Sequence, residues 1–235
     1  LYSVLVLFLL AAAGFAWVSM GIVAKDRWPI RWLEINGNFQ RVSAEQLRAR
    51  LTPLIESSFF TIDLHELRDV AGGISWVSRA HAQKRWPDTV VVEVEEYEPF
   101  AHWNRGQLIS GRGIAFSVPE ADSIQGLPWL SGPASQLDQV LEYWTRFSDE
   151  LATAGLEIEH LKLDPRGAWL MGLTNGTTVK LGRHDAYARL QRLMKSWGSL
   201  LAGRTAPPTI IDLRYTNGFA VSWLQDSEQL ARNDL

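Results

Sequence analysis

The sequence predicts an α+β protein: a single N-terminal transmembrane helix, then a small β-α-α-β-β domain, then a larger mixed β domain with flanking helices. Three observations lead there. An uncharged apolar run fills residues 1 to 24, two helix-start signatures stand between strand-like runs in residues 28 to 98, and short apolar runs broken by turn residues fill residues 99 to 225. The expected boundaries are therefore 1–24 for the span, 28–98 and 99–225 for the two domains, and 226–235 for a polar C-terminal tail.

From Leu1 to Ala24 no residue is charged and only Ser3, Gly14, Ser19 and Gly21 fall outside the apolar set. As a helix this run is about 36 Å long, enough for a hydrocarbon core of about 30 Å. A cleaved signal peptide carries a shorter apolar stretch of about 7 to 15 residues followed by small residues, and here Ala11-Ala12-Ala13 stand mid-run. Trp17, Trp28 and Trp32, with Lys25 and Arg27, fit an interfacial anchor at the exit. Lys25, Arg27 and Arg31 alone favour a cytoplasmic location for the following residues. The sequence opens on Leu1 rather than Met, so a preceding segment is expected.

In the small domain a strand is predicted over Trp32 to Asn36. Ser43-Ala44-Glu45-Gln46 is a capping box, with Val42 and Leu47 as its hydrophobic staple, and Leu47, Leu51 and Leu54 continue one face until Pro53 ends the helix. Asp63-Leu64-His65-Glu66 repeats the signature, with Ile62 and Leu67 as the staple and Gly72-Gly73 as the stop. Strands Trp76 to Arg85 and Thr89 to Tyr97 follow, joined at Trp86-Pro87-Asp88. Val90, Val92 and Val94 give the second strand its two-residue period.

In the larger domain Asn104-Arg105-Gly106 and Gly111-Arg112-Gly113 separate the strands of a meander, and Leu127 to Pro133 reads as an ordered connector. Helices are predicted over Ala134 to Thr153 and His184 to Leu201. Two hairpins turn at Thr174-Asn175-Gly176 and Thr216-Asn217-Gly218. For the second, a three-residue loop with a left-handed Gly218 pairs Tyr215 with Phe219, Leu213 with Val221 and Ile211 with Trp223. This collects the six large apolar side chains on one face and leaves Asp212, Arg214, Ala220 and Ser222 on the other. The last strand, Phe219 to Leu224, is then a candidate sheet edge with unpaired backbone groups.

Composition excludes several functions. There are 23 basic and 26 acidic residues for a formal charge of -3, with 10 against 12 in residues 25–98, so no field draws the chain to nucleic acid. Without Cys there is no disulfide framework, thiolate metal site or Cys nucleophile. The five His residues, at 65, 81, 102, 160 and 184, show no metal spacing, and no nucleophile-elbow or phosphate-loop motif occurs. Glu93, Glu95, Glu96 and Glu98 read as a solvated hairpin edge, with the first two on one face and the last two on the other. Neither catalysis nor a cofactor is expected.

Ile35-Asn36-Gly37-Asn38, Phe59-Phe60-Thr61-Ile62-Asp63, Trp76-Val77, Arg85-Trp86-Pro87 and Glu95-Glu96-Tyr97-Glu98-Pro99 resemble a POTRA domain, and more closely that of the FtsQ/DivIB family of cell-division proteins. Asp164-Pro165-Arg166-Gly167-Ala168-Trp169, Leu181-Gly182-Arg183-His184-Asp185 and the stretch Asp212 to Trp223 extend the resemblance over nearly the whole chain. It implies a single-pass protein of the bacterial inner membrane, periplasmic beyond the span, that acts at the division septum as a non-catalytic scaffold. In that family the β domain captures the FtsB and FtsL pair, FtsB adding a strand to the last strand of the sheet, and the POTRA domain takes part in recruitment by other divisome proteins. Carried over, the contacts are Arg166, Arg214, Tyr215, Asn217, Gly218 and Trp223, joined by Phe219 and Val221 on the edge strand itself. At Asn217 some members have Ser. Each residue has a plainer role beside this one: Tyr215 and Trp223 as core on the apolar face, Arg166 and Arg214 as solvated charges, Asn217-Gly218 as a turn. Competing functions are a POTRA-bearing assembly factor of another envelope complex and a membrane-anchored hydrolase.

Overall fold

The computed structural model describes residues 2–23, 28–204 and 206–223, and the chain divides into two units, Leu1–Tyr97 and Glu98–Leu235. Ala24, Lys25 and Arg27 of the expected span and its exit, and Leu224 and the tail 226–235, lie outside the described residues.

The first unit opens with the helix α1, Tyr2–Val23. Among the described residues no helix is long and apolar enough to cross a membrane. Then follow β1 (Trp32–Gly37), α2 (Ala44–Leu51), α3 (Leu64–Gly72), β2 (Val77–Arg85) and β3 (Thr89–Glu96). Capping chemistry sets both helix starts. Ser43 Oγ accepts from Gln46 N at 3.3 Å, and Asp63 Oδ1 accepts from His65 N at 2.8 Å and Glu66 N at 3.3 Å. These bonds hold the Asp63 carboxyl below its usual pKa, the His65 amide contributing most. α3 stops at the expected Gly72-Gly73, with Gly73 as its C-cap at φ -77°, and the left-handed residue of the following turn is Trp76, at φ 75°.

β3 is central, antiparallel to β2 and parallel to β1. Val90, Val92 and Val94 meet Leu47, Leu51, Leu67 and Ala71 in a fully enclosed core, each large side chain contributing about 1.5 to 3 kcal/mol on burial. On the other face Glu93 and Glu95 are exposed, as the alternation predicts, but Val91 and Thr89 near the start of the strand are buried. On that face Arg85 of β2 pairs with Glu34 of β1 across β3. Gly37 is required by close approach, because a Cβ there would lie 2.6 Å from the Val94 carbonyl oxygen. The carboxylate edge also needs correction. Glu96 accepts from the amides of Gln40 (3.1 Å), Arg41 (3.1 Å) and Val42 (2.8 Å), tying down the chain before α2 instead of being spent in solvent.

The second unit contains β4 (Pro99–Trp103), β5 (Gln107–Ser110), β6 (Ala115–Ser117), β7 (Trp129–Ser131), α4 (Leu137–Ala152), β8 (Ile158–Leu163), β9 (Trp169–Leu173), β10 (Thr178–Gly182), α5 (Ala186–Leu201), β11 (Ile210–Asp212) and β12 (Ala220–Ser222). One nine-stranded sheet orders them β12-β11-β10-β9-β8-β7-β4-β5-β6. The expected connector at 127–133 is in fact strand β7, parallel to both β4 and β8. Parallel neighbours need long crossovers. The two 16-residue helices supply two of them, α4 between β7 and β8 and α5 between β10 and β11, and β5 and β6 lie between β4 and β7. Val140, Phe147 and Leu151 of α4 and Leu190, Leu193 and Trp197 of α5 share one core with Leu161, Trp169, Met171, Val179, Ile211 and Leu213 of the sheet. Trp169 anchors it, stacked on Tyr143 at 4.6 Å and edge-on to Phe147 at 5.8 Å.

Candidate partner-binding edge

β12 is the terminal strand of the sheet. Its inner side pairs with β11 as Ile210 to Ser222, Ile211 to Val221 and Asp212 to Ala220, and among the described residues no strand covers its outer side. This register departs from the expected one by two residues. The tight loop is replaced by a seven-residue connection, 213–219, in which Gly218 is not left-handed. The reason lies in what holds the connection. Leu213 N stays on β10, donating to Lys180 O at 2.9 Å, and its side chain is fully buried. Arg192 of α5 donates through Nη1 to Thr216 O at 2.6 Å, and Arg214 N donates to Asp212 Oδ1 at 3.1 Å. A slip of two residues keeps every side chain on its face, so the face pattern carries no information against it.

Behind the edge the backbone is firmly fixed. Thr178 N donates to Thr209 O at 2.9 Å, and Thr209 N to Ser222 O at 2.9 Å. Thr177 Oγ1, wholly buried, donates to Pro208 O at 2.7 Å. At the edge itself Tyr215 is 58% exposed, whereas Trp223 is only 8% exposed with the Arg204 guanidinium 4.0 Å over its ring. The shared core role expected for the two aromatics therefore holds for Trp223 and not for Tyr215. Asn217 is exposed, and Gly218, Phe219 and Val221 are half-buried, with Phe219 and Val221 packed against the main core.

The arginines are placed differently from one another. Arg166 sits in the β8–β9 turn, which Asp164 builds by accepting through Oδ1 from Arg166 N (2.8 Å) and Ala168 N (2.7 Å). Arg214 is not a free charge: its Nε and Nη2 grip the Asp212 carboxylate at 2.9 and 2.6 Å. The pair pulls the Asp212 pKa down and pushes the Arg214 pKa up. The fold brings Arg166 and Arg214 to one small cavity of about 380 Å³, lined also by Arg183, His184, Arg189 and Asp164. Gly182 lies in its wall with a left-handed φ of 77°, and a Cβ there would lie 2.6 Å from Arg189 Nη1 and 3.1 Å from Arg214 Cγ. The net positive cavity, at the β8–β9 turn and the end of β10, is suited to a chain carrying carboxylates.

Sequence reasoning left out Arg183, His184, Arg189, Arg192, Arg204 and Asp212 as parts of this region. For Asp212 the signal was present, because residues two apart on a strand share a face and Asp212-Leu213-Arg214 sets opposite charges there. The α5 arginines carry no such mark, since only the tertiary fold turns them toward the 213–219 connection.

The fold thus defines a two-unit α+β protein, a small three-stranded domain followed by a nine-stranded mixed sheet flanked by two helices. Residues 28–97 match the family model "POTRA domain, FtsQ-type", and residues 101–214 match "Cell division protein FtsQ/DivIB, C-terminal", a match that stops just before Tyr215. The chain is 39% identical over 204 residues to the cell division protein FtsQ of Xanthomonas campestris pv. campestris, covering 87% of this chain and 73% of that one. It is 35% identical to that of Allochromatium vinosum (95% and 89% covered) and 33% identical to that of Hahella chejuensis (89% and 76%). The chain belongs to the FtsQ family of cell-division proteins.

Proposed function

We propose that this chain is a non-catalytic scaffold of the divisome that captures the FtsB and FtsL pair by strand addition at β12 during septum formation. The observation that supports this most is the position of β12 at the sheet edge, uncovered among the described residues. An incoming segment would gain main-chain hydrogen bonds there whatever its sequence, and side chains around the edge would select it. Tyr215 offers an exposed rigid ring, Asn217, Gly218, Phe219 and Val221 line the approach, and Trp223 supports the strand from within. Arg166 and Arg214 meet carboxylates of the incoming chain, Arg214 by sharing or exchanging its hold on Asp212.

The same reading makes α1 a single inner-membrane span. What supports this is the sequence run from Leu1 to Ala24, which carries no charge and as a helix is about 36 Å long. Residues 28–98 act as a POTRA domain toward other divisome proteins, residues 99–225 as the partner-binding β domain, both periplasmic at the septum, and 226–235 as a tail. Because the chain contains no Cys, one Cys at Ser222, exposed on the edge strand, tests the capture. Paired with single Cys residues along FtsB, Ser222→Cys gives a disulfide at one register and its neighbours two residues away. Crosslinking at no position, with the complex still formed, overturns strand addition at β12.

A further inference from the structure

Beyond α1, four aromatic side chains of the first unit stand out from its surface: Trp28 (38% exposed), Phe60 (44%), Trp32 (65%) and Trp86 (71%). They come from three stretches far apart in sequence, and backbone contacts bring those stretches to one end of the β1-β3-β2 sheet. Arg31 N and Trp32 N both donate to Asp88 O, at 2.9 and 3.3 Å, joining the start of β1 to the turn that carries Trp86. Phe59 N donates to Trp28 O at 2.9 Å, Pro29 bridges to Ser58, and the Trp28 and Phe60 rings meet edge-on at 5.6 Å. Lys84 Nζ closes the set by donating to Phe60 O at 3.1 Å.

An apolar cluster of this kind marks a contact surface, and the chain itself states where that surface is held. Five residue steps separate Val23, the end of α1, from Trp28, a reach of at most about 18 Å. If α1 spans a bilayer, Trp28 lies within that distance of its end, and the end of the sheet that carries the other three aromatics is tethered through it. Trp in particular favours this zone, with its ring among the acyl boundary and its N–H in water. Arg31 lies 4.0 Å from Asp88, Arg85 is paired with Glu34, and Lys84 Nζ is turned onto the Phe60 carbonyl. With two of these cations paired to acids and the third engaged by the backbone, the aromatics carry the attraction, and it asks for a lipid surface without a requirement for anionic lipid.

We infer that Trp28, Trp32, Phe60 and Trp86 form a second membrane contact, which seats this end of the first unit in the headgroup layer beside α1. The inference rests on the membrane reading of α1 given above. The absence of Cys allows the test to be made on the full chain in phosphatidylcholine nanodiscs, with a fluorophore on one introduced Cys and lipids carrying a nitroxide on the headgroup or deep in the acyl chain. Trp86→Cys and Trp32→Cys probe the cluster. Arg79→Cys probes an exposed site on β2 about 20 Å along the strand. Leu10→Cys probes α1. The expected result is headgroup quenching at 86 and 32 at least about twofold stronger than at 79, unchanged in high salt, with acyl-chain quenching at 10. Quenching at 10 with 86 and 32 no different from 79 overturns the second contact alone and leaves the aromatics to a protein partner. No quenching at 10 overturns the span and the contact together.

Discussion

Arg214 is held by Asp212, two residues earlier in the chain, through Nε at 2.9 Å and Nη2 at 2.6 Å, while the Arg214 amide donates to the same carboxylate at 3.1 Å. The Asp212 side chain is 13% exposed and that of Arg214 60%, so the acid is sheltered and the base faces the approach to the strand edge. The pair fixes the direction in which the chain leaves β11.

This pair carries a pH signature. The folded-state pKa of Asp212 lies below its unfolded value, chiefly through the Arg214 side chain. Its stabilisation is therefore complete above the unfolded carboxylate pKa, about 4, and is lost as pH falls through the lower folded value. Thermal melts of Asp212→Asn and the native chain are expected to differ at pH 7 and to converge as pH falls below the lowered folded-state value. An equal difference at both pH values contradicts the assignment.

The two aromatics at the edge should separate cleanly. Trp223, 8% exposed, is expected to cost about 3 to 5 kcal/mol of folding stability when truncated to Ala. Tyr215→Ala, at an exposed position, is expected to leave stability within about 0.5 kcal/mol and to weaken FtsB and FtsL binding by about 2 kcal/mol. Denaturant unfolding and binding titration on the same two variants check this.

Glu96 supplies the third expectation. Replacing it with Ala leaves the amides of Gln40, Arg41 and Val42 without their shared acceptor, at a cost of about 1 to 3 kcal/mol. Hydrogen exchange at those three amides should accelerate first, before α2 or β3 responds.

Much of this architecture is written locally. Ser43 and Asp63 announce α2 and α3 because a cap is a bond between neighbours three residues apart or fewer. Asn175-Gly176 makes its tight turn, Gly176 N donating to Leu173 O and Thr177 N to Asn175 Oδ1. The identical Thr216-Asn217-Gly218 does not, because Arg192 and Lys180, remote in sequence, hold the connection open. Strand β7 escapes recognition for a related reason. It is three residues long between Pro128 and Pro133, and what makes it a strand is parallel pairing to β4 and β8, which no local pattern encodes. At the edge, Arg166 and Arg214 are legible as residues, but their meeting across Gly182 with Arg183, His184 and Arg189 is a product of the fold.

Strand addition to β12 is tested most directly by amide hydrogen exchange on the full chain, free and bound to the FtsB and FtsL pair. The account predicts that protection rises over residues 219–223 on binding, with smaller changes at Arg166 and in the 213–218 connection, and none in β6 at the opposite end of the sheet. Tight binding with unchanged exchange over 219–223 would contradict it.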